Sequence, residues 1–495
     1  MSNAEATHAA LGEELNVPVI EEADVVVCGG GPAGIAAAIA AAQTQRHLGI
    51  TPNVRLIETH GQLGGIWTSG LLCWILDARN KSGLMQQILN RVEAYRVDLG
   101  GRPSRKRGGQ LYDAEHMKVL LEEMCEEAGV RIRLHTRVVA AHQQNGRLTH
   151  IVTESKSGRE AFAARCFIDC TGDGDLAAQA GCSYEIGRID EGSSTPVCQP
   201  MTLMALITGV DREAIRPFHD RHQYSTLEVK RALRAEFERA GVTPSYGHPT
   251  LFEVYPDLFA LMSNHEYERN PLDAQAITDA TISARREIHR VIEALRQSGG
   301  PWQNLRVVAT AAQIGIRESR RPAGLYRICL DDLIVGRRHD DAVCECSFPI
   351  DVHATSSDGD RSVETPPVPK TLPYDIPFRA LVARDVDGLL MAGRCISGDF
   401  YAHASYRVTG NAVPMGEAAG CAAALAASHR VSPRELDYPG EVRPIQRALF
   451  NKLAATVYVR NGHEGGLLMS HAGNSDSNRD IQEESPTCSP DPLHS

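Results

Sequence analysis

The 495-residue sequence predicts an α/β protein: a nucleotide-binding Rossmann-type sheet interrupted by an inserted region of mixed α and β character. Three observations predict it. Between residues 24 and 58 a strand, a glycine turn, a helix, a second strand and an acid follow one another. Between 130 and 169 come short alternating strands and then a long return strand. After residue 372 two further apolar strands and a small-residue helix resume the pattern that the intervening stretch breaks.

The first unit opens with Asp24-Val25-Val26-Val27-Cys28 and turns at Gly29, Gly31 and Gly34, which stand at G-x-G-x-x-G spacing. The first glycine suits a tight turn, the second a close backbone approach to a pyrophosphate, and the third close packing of helix on sheet. An alanine-rich helix follows, and its N-terminus offers free N–H groups and the positive end of a dipole to phosphates. Val54 to Ile57 form the second strand, and Glu58 ends it where a carboxylate can accept hydrogen bonds from ribose hydroxyls. A carboxylate there disfavours a 2′-phosphate, so NADP is not expected, while FAD and NAD remain. Residues 44–53 are polar and read as a loop that lengthens the unit.

Next comes a glycine-dense stretch, 61–70, in which Gly64 and Gly65 can pass close to a ligand and Trp67 either flanks a ring or belongs to the core. Residues 84–96 have helical apolar spacing, and 102–109 form a basic, breaker-rich loop read as solvated. Asp113 caps a helix that runs to Gly129, with apolar positions at 117, 120, 121 and 124. Strands at 130–134, 136–142 and 148–154 follow, the last two joined by an Asn145-Gly146 turn. The return strand at 160–169 follows a turn at Ser157-Gly158 and ends in Asp169-Cys170-Thr171-Gly172-Asp173. Gly172-x-Gly174-x-x-Ala177 imitates a second dinucleotide turn, but Asp173 and Asp175 would face the phosphates and no strand with a terminal acid follows. A turn touching the first nucleotide's phosphate side is the better reading.

From 190 to 370 the periodicity is mixed, with helices expected at 211–240 and 273–297. Gly315 to Pro322 places Arg317, Arg320 and Arg321 around Glu318, either to bind an anionic or polyhydroxyl substrate or as a surface ion-pair cluster. An acidic, proline-rich linker spans 358–369. Residues 374–382 and 388–394 read as strands, and 413–428 as a small-residue helix with Gly416 and Gly420 spaced for close packing. Its N-terminus, from Gly410 to Met415, suits negative charge on a reduced ring system. The polar stretch from 463 reads as a disordered tail.

The formal net charge of −11 argues against nucleic acid as the main partner. No stretch reaches the ~18–20 apolar residues of a membrane span. The thirteen cysteines are odd in number and include no Cys-x-x-Cys, which excludes a thioredoxin-like dithiol and the usual cluster spacing, so no metal site is expected. Cys344, Cys346, Cys166 and Cys170 read as buried strand thiols, and the pattern fits a reducing cytoplasm.

The blocks from Cys28 to Gly34 with Glu58, from Asp169 to Asp175, and from Leu390 to Gly420 resemble the FAD-dependent oxidoreductase family that contains the flavin part of heterodisulfide reductase. Several members of that family carry a "xanthan lyase" label. Gly315 to Pro322 and Ile376 to Leu381 resemble its internal motifs, and the likeness covers roughly residues 20–430. It implies FAD held by Gly29, Gly31, Gly34, Glu58, Gly64, Gly65, Thr171, Gly172, Gly393 and the 410–416 segment. Pro32, Ala33, Val138, Asp173, Arg394, Asn411, Met415 and Gly416 complete the candidate cofactor set. The chain lacks the cluster-ligating cysteines of the heterodisulfide reductase flavoprotein, which argues against a cluster-linked role.

The expected fold is therefore an FAD-binding Rossmann-type domain of the glutathione-reductase-like kind with an inserted α+β cap. Its expected parts are an N-terminal extension (1–22), the FAD-binding domain in two pieces (23–190 and 372–432), the inserted substrate or cap domain (191–371), a helical segment (433–462) and the tail (463–495). The expected function is hydride transfer between a small organic substrate and flavin N5, with electrons passed to oxygen, a quinone or a carrier protein. His403 is the expected acid or base, with Tyr401 and Tyr406 secondary; Arg407 and Arg317 would hold a carboxylate or polarise a carbonyl. A fumarate-reductase-like or ketosteroid-dehydrogenase-like C=C enzyme is the alternative. An FAD-stabilised component of a redox complex, without its own substrate, is the third reading.

Overall fold

The computed structural model describes residues 16–450 apart from 100–108, 191, 222, 359–362, 365–367 and 369. The basic loop up to 108, most of the 358–369 linker, residues 451–462 and the expected tail lie outside the described residues. Among the described residues no helix is long and apolar enough to cross a membrane.

The strands of the main sheet are β1 (Val19–Cys28), β2 (Val54–Ile57), β3 (Arg131–Arg133), β4 (Arg137–Gln144), β5 (Arg147–Ser155) and β6 (Gly158–Asp169). A second set comprises β7 (Ala205–Thr208), β8 (Thr250–Tyr255), β9 (Leu258–Met262) and β10 (Arg306–Thr310). Later come β11 (Ala342–Cys346), β12 (Tyr374–Pro377) and β13 (Leu389–Met391). The helices used below are α1 (Pro32–His47), α2 (Leu84–Asp98), α3 (Ala114–Ala128), α4 (Thr226–Arg239), α5 (Ala274–Ser298), α6 (Phe400–Tyr406) and α7 (Thr409–His429).

The main sheet has the order β3-β2-β1-β6-β5-β4, with β13 pairing β6. Its β3, β2, β1, β6 and β13 run parallel, and β4, β5 and β6 form an antiparallel meander. Strand β6 is long enough to serve both: its start pairs with β5 and its end with β1 and β13. Val25 to Cys28 are fully buried because helices cover the parallel part, as a continuous apolar run requires. Asn145 and Gly146 both take positive φ, which closes the β4–β5 hairpin.

Helices α1 and α7 pack with almost no side chain between them. A Cβ at Gly416 would lie 2.0 Å from the Ala33 carbonyl oxygen, and one at Gly420 would lie 2.1 Å from that of Ala37. Glycine and alanine on both partners are therefore what lets the two helices share the region above the sheet.

The second sheet is antiparallel, of order β8-β9-β7-β10. Helix α5 supplies Ala280, Ala284, Ile288, Val291, Ile292 and Leu295 to the core beneath it. This second core draws on residues from Met201 to Ile314 together with Leu71, Cys73 and Ala114, whereas Ile328, Leu333, Cys346, Ile350 and Val352 pack in the first.

Three local expectations are corrected. The loop expected at 44–53 begins later, because α1 continues to His47. The helix expected over 211–240 is interrupted: Arg216–His219 forms one turn, and α4 starts afresh where Ser225 and Glu228 make a reciprocal capping box. The strand expected over 374–382 stops at Pro377, and Phe378–Ala380 form a 3₁₀ turn. It is held as Phe378 N–H bonds the Asp341 carbonyl and Arg379 N–H the Asp341 carboxylate.

Candidate functional site

A cavity of about 620 Å³ opens at the C-terminal ends of β1, β2 and β6 and reaches the antiparallel sheet. That is where an open α/β sheet places its ligands. Its volume lies within the ~300–1,000 Å³ of small-molecule sites.

The nucleotide end is built by the glycine turn. Gly29 adopts φ +100°, and a Cβ there would lie 2.4 Å from the Cys170 carbonyl oxygen, so no other residue fits between β1 and β6. Gly31 is extended at φ −74° and ψ −174°, and a Cβ there would meet nothing within 4 Å because the cavity lies in front of it. Helix α1 starts behind Gly31 with no side-chain cap and no acidic residue in its first turn, so its first N–H groups are left for a ligand.

Glu58 is buried, and its carboxylate orders the neighbouring loop. It accepts hydrogen bonds from Gly30 N–H at 2.6 Å, from His60 N–H at 2.8 Å, and faces His60 Nδ1 at 2.9 Å. The hydrogen bond to Glu58 raises the His60 pKa against the opposing effect of partial burial. Thr136, Arg137 and Val138 wall the same end.

The turn after β6 is organised by a fully buried carboxylate. Asp169 accepts from Thr171 N–H at 3.0 Å, from Thr171 Oγ1 at 2.7 Å and from Ala177 N–H at 2.8 Å. Burial pushes its pKa up to about 6 despite those donors. Thr171, Gly172 and Asp173 thereby face the cavity, and Arg394 is held across Gly172 by its 2.7 Å ion pair with Asp173.

The opposite end has another chemistry. Thr202, Met204, Tyr246, Phe252, Met262, Ile314 and Ile316 supply a largely apolar wall, in which Arg221, Lys230, Arg317, Asp351, His353 and Arg407 also take part. Arg317 Nη1 donates to the Pro200 carbonyl at 2.7 Å and to Thr202 Oγ1 at 2.8 Å. Arg407 Nη2 donates to the Asp351 carbonyl at 2.9 Å and to its carboxylate at 3.3 Å. Asp351 also lies 3.3 Å from His353 Nε2, and His353 Nδ1 lies 3.2 Å from His265 Nε2. With Asp351 ionised, the assigned pattern has His353 Nε2–H donating to Asp351 and His265 Nε2–H donating to His353.

The electrostatics follow from burial and from two arginines. Burial alone would raise the Asp351 carboxyl, but His353, Arg407 and Arg317 outweigh it and hold Asp351 well below the usual carboxylate range. Burial, then the charge of Arg317, pushes His353 down to about 3 against the pull of Asp351. Burial, then the charge of Arg407, lowers Arg317 to about 10.

The structure brings together many of the residues singled out from sequence. Gly29, Gly31, Pro32, Ala33, Glu58, Gly65, Val138, Thr171, Gly172, Asp173, Arg317, Gly393, Arg394 and Arg407 all line the cavity. Gly34, Gly64, Asn411, Met415 and Gly416 do not. Gly34 is pressed against the Gly29 carbonyl, Gly416 serves helix packing, and Asn411 Nδ2 is turned to Cys346 Sγ at 3.3 Å. Trp67 is fully buried and belongs to the core.

The expectation that His403 is the acid or base is corrected. His403 lies in α6, is 0 % exposed and forms no part of the cavity wall. Burial, then the charges of Arg321, Arg407 and Arg394, hold its pKa well below the ordinary value. Tyr401 and Tyr406 likewise stand off the cavity; Tyr406 donates to the Ile396 carbonyl at 2.9 Å.

The 315–322 block is not a surface cluster. Glu318 and Arg321 form a fully buried ion pair, in which Glu318 accepts from Gln199 N–H at 3.1 Å and Arg321 donates to the Gly187 and Gly398 carbonyls at 2.8 and 3.1 Å. Arg320 pairs with Asp175 at 2.7 Å. Residues missed from sequence are Asp351, His353, His265 and Tyr246, which sit in turn-rich stretches with no motif spacing. The Asp351-x-His353 alternation was the single local hint.

A family model described as FAD dependent oxidoreductase matches residues 24–449. No curated protein matches the sequence. Similar solved structures include a geranylgeranyl bacteriochlorophyll reductase-like protein from Thermoplasma acidophilum, at 12% identity over 88% of this chain and 83% of that one, TM-score 0.42. The p-nitrophenol 4-monooxygenase of Pseudomonas putida is 12% identical over 87% of this chain and 89% of its own, TM-score 0.43. The anhydrotetracycline hydroxylase of Streptomyces rimosus is 13% identical over 88% of this chain and 68% of its own, TM-score 0.44. No residue of this chain takes a role from them.

Proposed function

The chain belongs to the FAD-dependent oxidoreductase family, and on that premise we propose that it transfers a hydride between a small organic substrate and FAD and passes the electrons to a separate acceptor. FAD, when bound, supplies the redox chemistry, and the protein positions it and excludes competing reactions.

The residues present fit the cofactor. The open space before Gly31 and the uncapped start of α1 suit the pyrophosphate, with Pro32 and Ala33 at the helix entry. Glu58 lines the cavity with oxygen lone pairs suited to ribose hydroxyls, and Thr136 to Val138 wall the same end. Thr171, Gly172, Gly393 and Arg394, with Thr409 and Ala412 at the start of α7, would hold the remainder. In this reading the antiparallel sheet within 191–371 belongs to the substrate cap on a glutathione-reductase-like cofactor domain. The unpaired thiols support a reducing compartment such as the cytoplasm.

The observation that carries the proposal is the continuity of one cavity from the nucleotide turn to a wall that holds Arg317, Arg407, Asp351 and His353. Hydride transfer to or from carbon needs a proton partner nearby. Asp351 and His265 engage both ring nitrogens of His353, so it can exchange a proton with a hydroxyl or amine at the wall only by turning out of that chain. Arg317 and Arg407 orient the substrate.

The presence of both arginines in one wall favours a second reading, addition of hydride to a C=C bond activated by a neighbouring carbonyl or carboxylate. There a proton is delivered to carbon in place of being removed.

An anaerobic absorbance titration with alcohols, sugars, amines, hydroxy acids, NADH and NADPH tests the proposal. Bleaching of the flavin by one class of organic reductant supports it. Bleaching by dithionite alone, with reoxidation by no C=C acceptor, would contradict it and favour a role as the flavin component of a larger complex.

A further inference from the structure

We propose that the inner end of the cavity, against the antiparallel sheet, recognises an organic carboxylate, with the charge received by Arg317 and Arg407 and the apolar body laid against Met204, Phe252 and Met262. This rests on the oxidoreductase reading and names its substrate class.

The first ground is charge balance. Arg221, Lys230, Arg317 and Arg407 line this end, and Asp351 is the one carboxylate among its lining residues. The other lining acids, Glu58, Asp173 and Asp175, belong to the nucleotide end, where His60, Arg394 and Arg320 answer them. Asp351 is shared between Arg407 and His353. Arg317 and Lys230 have no ion pair among the described residues, and the hydrogen bonds of Arg317 go to neutral oxygens. Arg317 also feels the charge of Asp351, so one carboxylate answers several cations, and a wall with that excess of positive charge is stabilised when an anion enters.

The second ground is an unused donor. Arg407 Nε is buried, and it has no hydrogen-bond partner among the described residues. Its Nη2 is taken by Asp351, which fixes the guanidinium plane and leaves Nε for a ligand. Arg317 donates to the Pro200 carbonyl and Arg407 Nη2 stands 3.5 Å from Oε1 of the adjacent Gln199, so neighbouring residues anchor the two cations in one wall. Two forked donors suit the planar, two-oxygen geometry of a carboxylate.

The third ground is the surroundings. Met204, Phe252, Met262, Ile314, Ile316 and Phe348 leave the anion in an apolar chamber. Inorganic phosphate gains nothing from such a wall, whereas a carboxylate on a hydrocarbon or aromatic body buries that body there.

The test uses the full-length, FAD-loaded protein and reads the flavin difference spectrum and equilibrium dialysis during titration with benzoate, cyclohexanecarboxylate and octanoate. Benzamide, cyclohexanecarboxamide and inorganic phosphate are the controls. The expected result is saturable binding of at least one acid, at least tenfold tighter than its amide and than phosphate. Arg317→Gln lowers that affinity at least tenfold without moving the amide's, and Lys230→Gln, at a half-buried position, lowers it severalfold. Equal binding of acid and amide, tighter binding of phosphate, no saturable binding of any acid, or unchanged affinity in both variants would overturn the proposal. Reduction of the flavin by a neutral alcohol or sugar in a preparation that binds no carboxylate would remove this inference and leave hydride transfer standing.

Discussion

Gly29 and Gly31 stand two positions apart in the sequence, yet they are expected to fail differently when a methyl group is added. At Gly31 the backbone has φ −74°, a conformation open to any residue, and the added Cβ meets nothing within 4 Å. Gly31→Ala is therefore expected to change apo-protein stability by no more than about 1 kcal/mol, the loss of a good N-cap being offset by a less flexible unfolded chain. The methyl group projects instead into the cavity, where the proposal puts the pyrophosphate, and FAD affinity is expected to fall at least about tenfold, or ~1.4 kcal/mol. At Gly29 the backbone stands at φ +100°, and the Cβ would lie 2.4 Å from the Cys170 carbonyl oxygen. Gly29→Ala is expected to lose about 1–3 kcal/mol from backbone strain, with a steric cost in addition as β1 and β6 are forced apart. The assay pairs denaturant unfolding of the apo-proteins with FAD titration followed by flavin fluorescence. A Gly31→Ala protein that binds FAD as tightly as the wild type would refute the assignment of that space, and a Gly29→Ala protein of unchanged stability would refute the turn geometry.

Three further outcomes are expected. Arg321→Met leaves Glu318 buried without its partner and should destabilise the fold by ~3–5 kcal/mol in denaturant melts, whereas an exposed pair such as Arg234–Glu238 should cost under about 1 kcal/mol when Arg234 is replaced. His353 has a folded pKa of about 3, depressed by burial and Arg317, against an unfolded value near 6.5, so the unfolded chain binds the extra proton between those values. Stability is then fully present above about pH 6.5 and lost as pH falls toward 3, and His353→Gln should reduce that slope by one proton, about 1.4 kcal/mol per pH unit. Gly420→Ala sets a Cβ 2.1 Å from the Ala37 carbonyl oxygen and should cost ~1–3 kcal/mol by separating α1 from α7; an unchanged midpoint of unfolding would contradict that packing.

The cofactor end was legible in the sequence because its signals are local. Four consecutive apolar residues before Gly29, an alanine helix after it and Glu58 at the end of the next strand each constrain a few neighbouring residues, and together they leave one arrangement. The same holds for the helix capped by Asp113 and closed at Gly129, whose φ of +75° is the conformation that its sequence announces. The far end of the cavity was legible in part. Arg317 and Arg407 were identified as cations near a flavin site, but nothing in their spacing says that both enter one wall, since 90 residues and several elements separate them. His403 misled because nothing in its neighbouring sequence gives its burial, whereas α6 is capped by Asp399 and turns the ring into a fully buried site. The Asp351–His353–His265 chain left only the Asp351-x-His353 alternation as a local hint, and nothing that points to His265. His265 lies in the turn after β9 and His353 far beyond it, and only the folding of the antiparallel sheet against the main one brings them to 3.2 Å.

The most direct test of hydride transfer is the rate of flavin bleaching in anaerobic stopped flow, compared between a reductant protiated and one deuterated at the carbon that gives up hydrogen. Hydride transfer from that carbon predicts a primary isotope effect on the bleaching phase, and a larger share of that phase limited by chemistry in His353→Gln. Equal rates for both isotopologues in wild type and variant, with the flavin reduced by an external carrier alone, would contradict it.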